Sequence, residues 1–309
     1  MTTTTDALAI NGGDPVRTEP FPGRTPFGEH EERLLLEAVR SQNLFGKSGT
    51  FVKKLEGAFA DFYGVNYAQS STSGTAAIHV AVGAVNPNPG DEIITAPITD
   101  PGSVMPILMQ QAVPVFADVD PLTLNMLPES IEANITDRTR AIILVHLFGR
   151  PCNIDEVVAI AKKYDVVLIE DCSQTHATKY KDRYAGSYGH MACFSFQQSK
   201  HMTTGDGGMT VTNDEETHRR MVLFADKGWD YKYMGERDHA FLAPNYRMTE
   251  MQGAVGLAQI EKVRGVVERR VELGALLNDL IAEAPGITVV ETQSDRETSW
   301  WNYIFHVTG

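Results

Sequence analysis

The chain has 309 residues, 42% hydrophobic and 22% charged, an ordinary globular composition with room for one large core or two domains. Its formal charge of −13 disfavours nucleic acid as a partner, because phosphate binding selects basic surfaces. No apolar run reaches the roughly 18 residues of a membrane-spanning helix, so no membrane partner is expected.

The opening MTTTTDALAINGGDPVRTEPF has no basic region ahead of an apolar one and does not read as a secretory signal. Gly12-Gly13-Asp14-Pro15 and the Pro-rich FPGRTPF read as an irregular arm. GEHEERLLLEAVRSQ has helical spacing, with Leu34, Leu35 and Val39 apolar among charges. A second helical stretch, FVKKLEGAFADFYG, follows Gly49 and ends at Gly64. Strand-like and helix-like segments then alternate. TAAIHVAVGAV predicts a helix, DEIITAP and VPVFADV strands, RTRAIILVHLFG a strand, EVVAIAKKY a helix and DVVLIED a strand. MACFSF and GGMTVTND predict two more strands. Near-continuous apolar strands broken by helices point to an α/β fold with a mostly parallel sheet covered on both faces. From Thr249 a long helical pattern runs to AEA, and GITVVET and WWNYIFHVTG predict two strands of a further unit. Two strands do not make a domain alone. The expected division is therefore a large domain over 1–260 and, over 261–309, a linking helix with the start of a small C-terminal domain cut short.

Several chemistries lack their signatures. Gly46-Lys47-Ser48 resembles part of a nucleotide P-loop, but Ser41 stands where the first glycine belongs. No G-x-G-x-x-G follows a strand, no G-x-S-x-G is present, and His146, His176 and His190 lack metal-ligand spacing, so no metal is expected. Cys152, Cys172 and Cys193 show no paired spacing, which points to a reducing, cytoplasmic compartment.

Four stretches carry chemistry, and each has a plainer alternative. QSSTSGTAAIHVAV sets small and hydroxyl residues at a helix start, where free N–H groups favour a phosphate; alternatively Ser73 or Thr75 simply caps its own helix. In VVLIEDCSQTHA, Asp171 ends an apolar strand, a place for a ligand-binding carboxylate or for a turn cap. In CFSFQQSKHMTTGDGGMTV, Lys200 lies five residues after Ser195. A lysine beside apolar strands loses hydration and becomes a better nucleophile, whereas most lysines are surface groups. In APNYRMTEMQGAVG, Asn245 and Arg247 are donors for a phosphate or carboxylate, or part of a solvated turn capped by Thr249.

Together, a phosphate cradle, a carboxylate and a nucleophilic lysine are the parts that pyridoxal phosphate needs. In SGTAA, IEDCSQTHA, SFQQSKHMTTGDGGM and NYRMTEMQGAVGLAQ the chain resembles the DegT/DnrJ/EryC1/StrS family of sugar and cyclitol aminotransferases, of fold type I. The resemblance runs from NGGDPVRT to WWNYIFHV. It implies pyridoxal 5'-phosphate as cofactor, Gly74 and Thr75 as its phosphate cradle with Ser195 as a further donor, and Asp171 as partner of the pyridine nitrogen. It also implies Gln174 beside the ring oxygen, Lys200 as the Schiff-base lysine, and Asn245 and Arg247 in a loop reaching the neighbouring subunit's site of a homodimer. Several features depart from the family pattern, among them Cys172 and Ser173 where the family often has alanines. TAPITDPGSV holds no aromatic where the family often stacks one on the cofactor, and Asp206 replaces the usual glutamate before Gly207-Gly208. The implied reaction moves an amino group from glutamine or glutamate to a keto sugar or keto cyclitol such as scyllo-inosose, as in aminoglycoside-type antibiotic biosynthesis. The alternatives are a sugar dehydratase of the same family, where histidine replaces the lysine, and a non-catalytic homologue. The segment from Asp226 to Met248, with Trp229, Tyr231, Tyr233, Met234 and Arg237, is expected to serve a subunit interface.

Overall fold

The computed structural model describes residues 7–21, 23–24, 26–230 and 239–308. Helices α1 (Glu29–Arg40) and α2 (Phe51–Tyr63) follow the irregular arm, and α2 stops at Gly64 as expected. α1 buries Leu34 and Ala38 against Phe51, Ala254 and Ala258. Val39, expected on that face, is exposed, because the stripe continues four residues after Leu34 and falls on Ala38.

The chain then runs β1 (Tyr67–Ser71), α3 (Gly74–Val85), β2 (Glu92–Thr95), α4 (Met105–Met109), β3 (Val113–Phe116), α5 (Pro128–Ala133), β4 (Thr139–Val145), α6 (Ile154–Tyr164) and β5 (Val167–Asp171). A small hairpin, β6 (Lys179–Tyr180) and β7 (Arg183–Tyr184), precedes β8 (Met191–Ser195), β9 (Gly208–Thr212) and α7 (Glu215–Ala225). One seven-stranded sheet has the order β1-β9-β8-β5-β4-β2-β3. It is parallel except for β9, which runs antiparallel to both neighbours. The central strands are buried on both faces, which explains their continuous apolar runs. β3 is an edge strand, where Pro114 and its missing N–H are tolerated. The strand expected over RTRAIILVHLFG ends at Val145, and Leu147–Gly149 form a tight turn with left-handed backbone at Phe148. Helix α7 was not anticipated, although Asp214 caps it at 2.7 Å through the N–H of Thr217 and two glutamates fill its first turn.

Helix α8 (Glu250–Ile281) is capped by Thr249 in a capping box with Gln252. It is continuous through residue 260, so the expected domain division falls inside one helix. β10 (Ile287–Val289) and β11 (Phe305–Val307) pair antiparallel, so of WWNYIFHVTG only the second half is strand.

The first residue of α8 also secures α2. The Glu250 carboxylate is buried and accepts the N–H groups of Thr50, Phe51 and Val52 at 2.7, 2.7 and 2.9 Å. A negative charge at a helix N-terminus, with three donors satisfied at once, is a strong tie between two elements distant in sequence. Glu250→Ala leaves those donors without a partner. It is expected to lower stability by about 2–4 kcal/mol in urea titration. Glu250→Gln, which keeps one acceptor oxygen, is expected to lose about half of that. Equal midpoints for the alanine variant and the parent protein would show that the tie contributes nothing.

Candidate active site

In a parallel sheet the carboxyl ends of the strands share one edge, and ligands bind there. β5 ends at Asp171, β8 ends at Ser195, and β1 leads into the start of α3 at the same edge. A cavity of about 360 Å3 lies there, and Gly74, Thr75, Asp171, Gln174, Ser195 and Lys200 all line it. Its size suits a small organic ligand.

Ser73 does cap α3: its hydroxyl accepts the N–H of Ala76 at 3.0 Å. The N–H groups of Gly74 and Thr75 have no hydrogen-bond partner among the described residues. A Cβ at Gly74 would stand 2.5 Å from the Cβ of Ser195, so only glycine lets β8 come this close to the helix start. Two open N–H groups, the positive end of α3 and the Ser195 hydroxyl form a cradle for an anion. Capping and anion binding, opposed in the sequence reading, call on different N–H groups, so the cap leaves those of Gly74 and Thr75 open.

Asp171 is buried and anchored at both oxygens. Oδ1 accepts the N–H of Ser173 at 3.0 Å, and Oδ2 accepts the hydroxyl of Ser103 at 2.7 Å. Ser103 has then donated its one proton, so its oxygen accepts the hydroxyl of Thr99 at 2.8 Å. Thr99 and Ser103 sit in the turn whose lack of an aromatic was noted from the sequence, and their role there carries no sequence signature. Gln174 accepts the N–H of Phe148 through Oε1 at 2.8 Å, which leaves its amide NH2 to donate elsewhere.

Lys200 is 8% exposed, not the surface lysine of the plainer reading. Burial pushes its ammonium below the usual lysine range, and the charges of Asp171 and Asp100 work against that shift. Its Nζ lies 3.7 Å from the ring centroid of Trp301, an aromatic of the cavity wall that sequence reasoning missed. Nothing local marks Trp301, which belongs to a segment about a hundred residues further along the chain.

Asn245 and Arg247 do not line this cavity. Arg247 pairs with the buried Asp226, lies 5.2 Å from the Phe45 ring, and takes its backbone N–H to Asn245 Oδ1 at 3.3 Å. Between them, the Tyr246 hydroxyl meets His79 Nδ1 at 2.8 Å, which ties the loop to α3. Burial pushes the His79 imidazole down to about 4. Tyr231, Tyr233, Met234 and Arg237 lie outside the described residues.

His146, Glu170 and Cys172 bring ligand-type atoms within 4.8 Å of one another, but two of the three are engaged. His146 Nδ1 accepts the N–H of Cys152 at 3.1 Å, so its proton is on Nε2 and is donated to Glu170 at 3.0 Å. Glu170 also accepts the N–H groups of Gly186, Tyr188 and Gly189. Burial pushes the Cys172 thiol up to about 12, away from the thiolate that binds metals. The cluster ties β5 to the loop before β8.

The cavity's donor set fits pyridoxal phosphate: an open anion cradle, a buried carboxylate, an amide donor and a partly dehydrated amine in one small space. Residues 27–309 match the model of the DegT/DnrJ/EryC1/StrS aminotransferase family. The chain is 34% identical over 286 residues to an L-glutamine:2-deoxy-scyllo-inosose aminotransferase from Micromonospora echinospora, across 88% of this chain and 68% of that one. It spans about two thirds of that relative's length. An aminotransferase structure from Psychrobacter cryohalolentis superposes with a TM-score of 0.86 at 35% identity, covering 94% of this chain and 77% of that one. An E. coli GDP-4-keto-6-deoxy-D-mannose-3-dehydratase with bound hydrated pyridoxal phosphate superposes with a TM-score of 0.85 at 27% identity, covering 93% and 78%. Fold, cavity and these likenesses agree: the chain belongs to the DegT/DnrJ/EryC1/StrS aminotransferase family, whose cofactor is pyridoxal phosphate.

Proposed function

We propose that this protein moves an amino group from glutamine to a neutral, polyhydroxylated cyclic ketone, with Lys200 and Asp171 as its catalytic residues. The observation that carries the reading is Lys200, buried in the same cavity as Asp171 and the open start of α3. Gly74, Thr75 and Ser195 would hold the cofactor's phosphate, Asp171 its pyridine nitrogen, and Gln174 its ring oxygen. When bound, pyridoxal phosphate supplies an aldehyde that takes up amines and a ring that draws electrons from the substrate's α-carbon. The chain's own part is proton handling. Asp171, held by Ser103 and Ser173, keeps a negative charge that favours a protonated ring nitrogen. Lys200, once free, takes the proton from the donor's α-carbon at Nζ and returns it on the other side of the nitrogen exchange.

The cavity's charge supports a neutral acceptor. Lys200 is the one cation on the wall among the described residues, beside Asp100, Asp171, Asp206 and several hydroxyls. This chain's own wall matches the hydroxyl groups of a cyclitol, whereas the two phosphates of a nucleotide-linked sugar would need cations from the neighbouring subunit's loop. Glutamate remains the other donor of this reading.

A dehydratase is the alternative reading. The one histidine next to Lys200, His201, is buried, donates Nε2–H to the Ser299 carbonyl at 3.0 Å and does not line the cavity. That placement favours the aminotransferase.

The protein is further proposed to act as a cytoplasmic homodimer, with Asn245 and Arg247 serving the partner's site. Both lie outside their own cavity, and Phe45 beside Arg247 and Met105, Leu108 and Met109 around α4 are exposed apolar groups suited to an interface. Three buried free cysteines suit a reducing compartment.

The test is optical. Protein loaded with pyridoxal phosphate is expected to show a visible absorbance band that fades on adding glutamine and returns on adding a keto cyclitol. A band that ignores both glutamine and glutamate would remove the aminotransferase reading.

A further inference from the structure

Trp301 reaches the cavity on a segment that is clamped at every residue. The Ser299 N–H donates to the Gly149 carbonyl at 2.8 Å, and the Trp301 N–H to the Phe148 carbonyl at 3.1 Å. Arg270 donates to the carbonyls of Trp300 and Trp301 at 2.7 and 3.2 Å. The Trp301 indole N–H donates to the Ser199 carbonyl at 3.1 Å, one residue before Lys200. The clamp is also strained. Trp300 has φ 47 and Phe148 φ 57, a left-handed conformation that is uncommon for bulky side chains. Between them Gly149 has φ 88, and a Cβ there would stand 2.6 Å from Ser299 Oγ and 2.7 Å from the Trp300 nitrogen. Such backbone persists only where the surroundings over-determine it, and strain of this kind clusters at functional sites.

The clamp sets one aromatic face against one group. Lys200 Nζ lies 3.7 Å from the Trp301 ring centroid, and its ammonium makes no ion pair or hydrogen bond among the described residues. A lysine stem has four rotatable bonds, and a free amine without a partner would sample many positions. An indole face fixes a cation without neutralising it and without accepting its proton.

We propose that Trp301 is a positioning residue for Lys200: it holds the resting ammonium in one place over the cavity, from which the amine, on losing a proton, takes the cofactor and, later, moves the proton. The inference rests on the aminotransferase reading above. The indole N–H bond to Ser199 and the face toward Nζ act on the same loop, so the indole orients both the loop and its amine.

The test uses cofactor-free full-length protein and pyridoxal phosphate, with capture followed by visible absorbance. Trp301→Leu removes the face and keeps an apolar side chain. It is expected to slow capture about tenfold, the size of a desolvated cation–π contact, and to lower kcat with little change in KM for either substrate. Trp301→Phe keeps a face but loses the N–H donor to Ser199, and is expected to stay within about threefold of the parent protein. Thermal midpoints report whether each variant is folded, and the phenylalanine variant decides the matter if the leucine variant is not. Capture by Trp301→Leu at the parent rate would overturn the inference. So would a Trp301→Phe variant as slow as Trp301→Leu, or a rise confined to the acceptor's KM, which would make Trp301 a substrate wall instead. Failure of the parent protein to capture pyridoxal phosphate would remove the functional reading itself, a separate outcome.

Discussion

Lys200→Ala is expected to abolish transamination while the protein stays folded. The side chain supplies both the covalent attachment point and the proton carrier, two roles that act as a unit, so the loss in kcat should exceed about 10^4-fold. Folding should survive. The Lys200 ammonium satisfies no carboxylate, and the loop is held through its backbone, with the Lys200 N–H on the Gln197 carbonyl at 2.9 Å. Near-parent turnover in this variant, with an intact thermal transition, would remove Lys200 from the mechanism. The same variant tests assembly. Mixed with a chain carrying Asn245→Ala and Arg247→Ala, it should regain part of the activity if sites are shared between subunits. One site of a mixed dimer then collects every lesion and the other none. If Asn245 and Arg247 serve their own subunit, every site keeps a lesion and nothing returns.

Asp171→Asn is expected to bind cofactor and react with glutamine about a thousandfold more slowly in a single turnover. The amide is nearly isosteric. Its oxygen can still accept the Ser173 N–H, and its NH2 can donate to Ser103 Oγ, which then turns its own proton elsewhere. What is lost is the charge. The ring nitrogen would no longer be held protonated, and electrons would no longer be drawn from the α-carbon as strongly. An unchanged single-turnover rate would leave Asp171 as the turn cap of its plainer reading.

The two carboxylates at the end of β5 show how far local reading reaches. Glu170 and Asp171 are neighbours in sequence and carry the same carboxylate group. Strand alternation sends one to the His146 network and the other to the cavity, and only the pairing of β5 with β8 shows which is which. Likewise the apolar runs disclosed a parallel sheet but not the reversed β9. Twelve residues separate β8 from β9 and hold no helix to carry a crossover, so the chain turns back antiparallel.

Taken by itself, the sequence determined the kinds of group present and their attachment to elements. A small-residue helix start, an acid ending an apolar strand and a lysine ahead of a glycine turn are local patterns, set by capping and by strand periodicity. Tertiary structure alone decided that these three meet. Parallel pairing places the ends of β5 and β8 and the start of α3 on one edge, and the antiparallel return of β9 bends the Lys200 loop over it. It alone supplied Ser103 and Trp301, because a hydroxyl 68 residues from Asp171 and an indole about a hundred residues from Lys200 are joined to them by packing, which local periodicity does not encode.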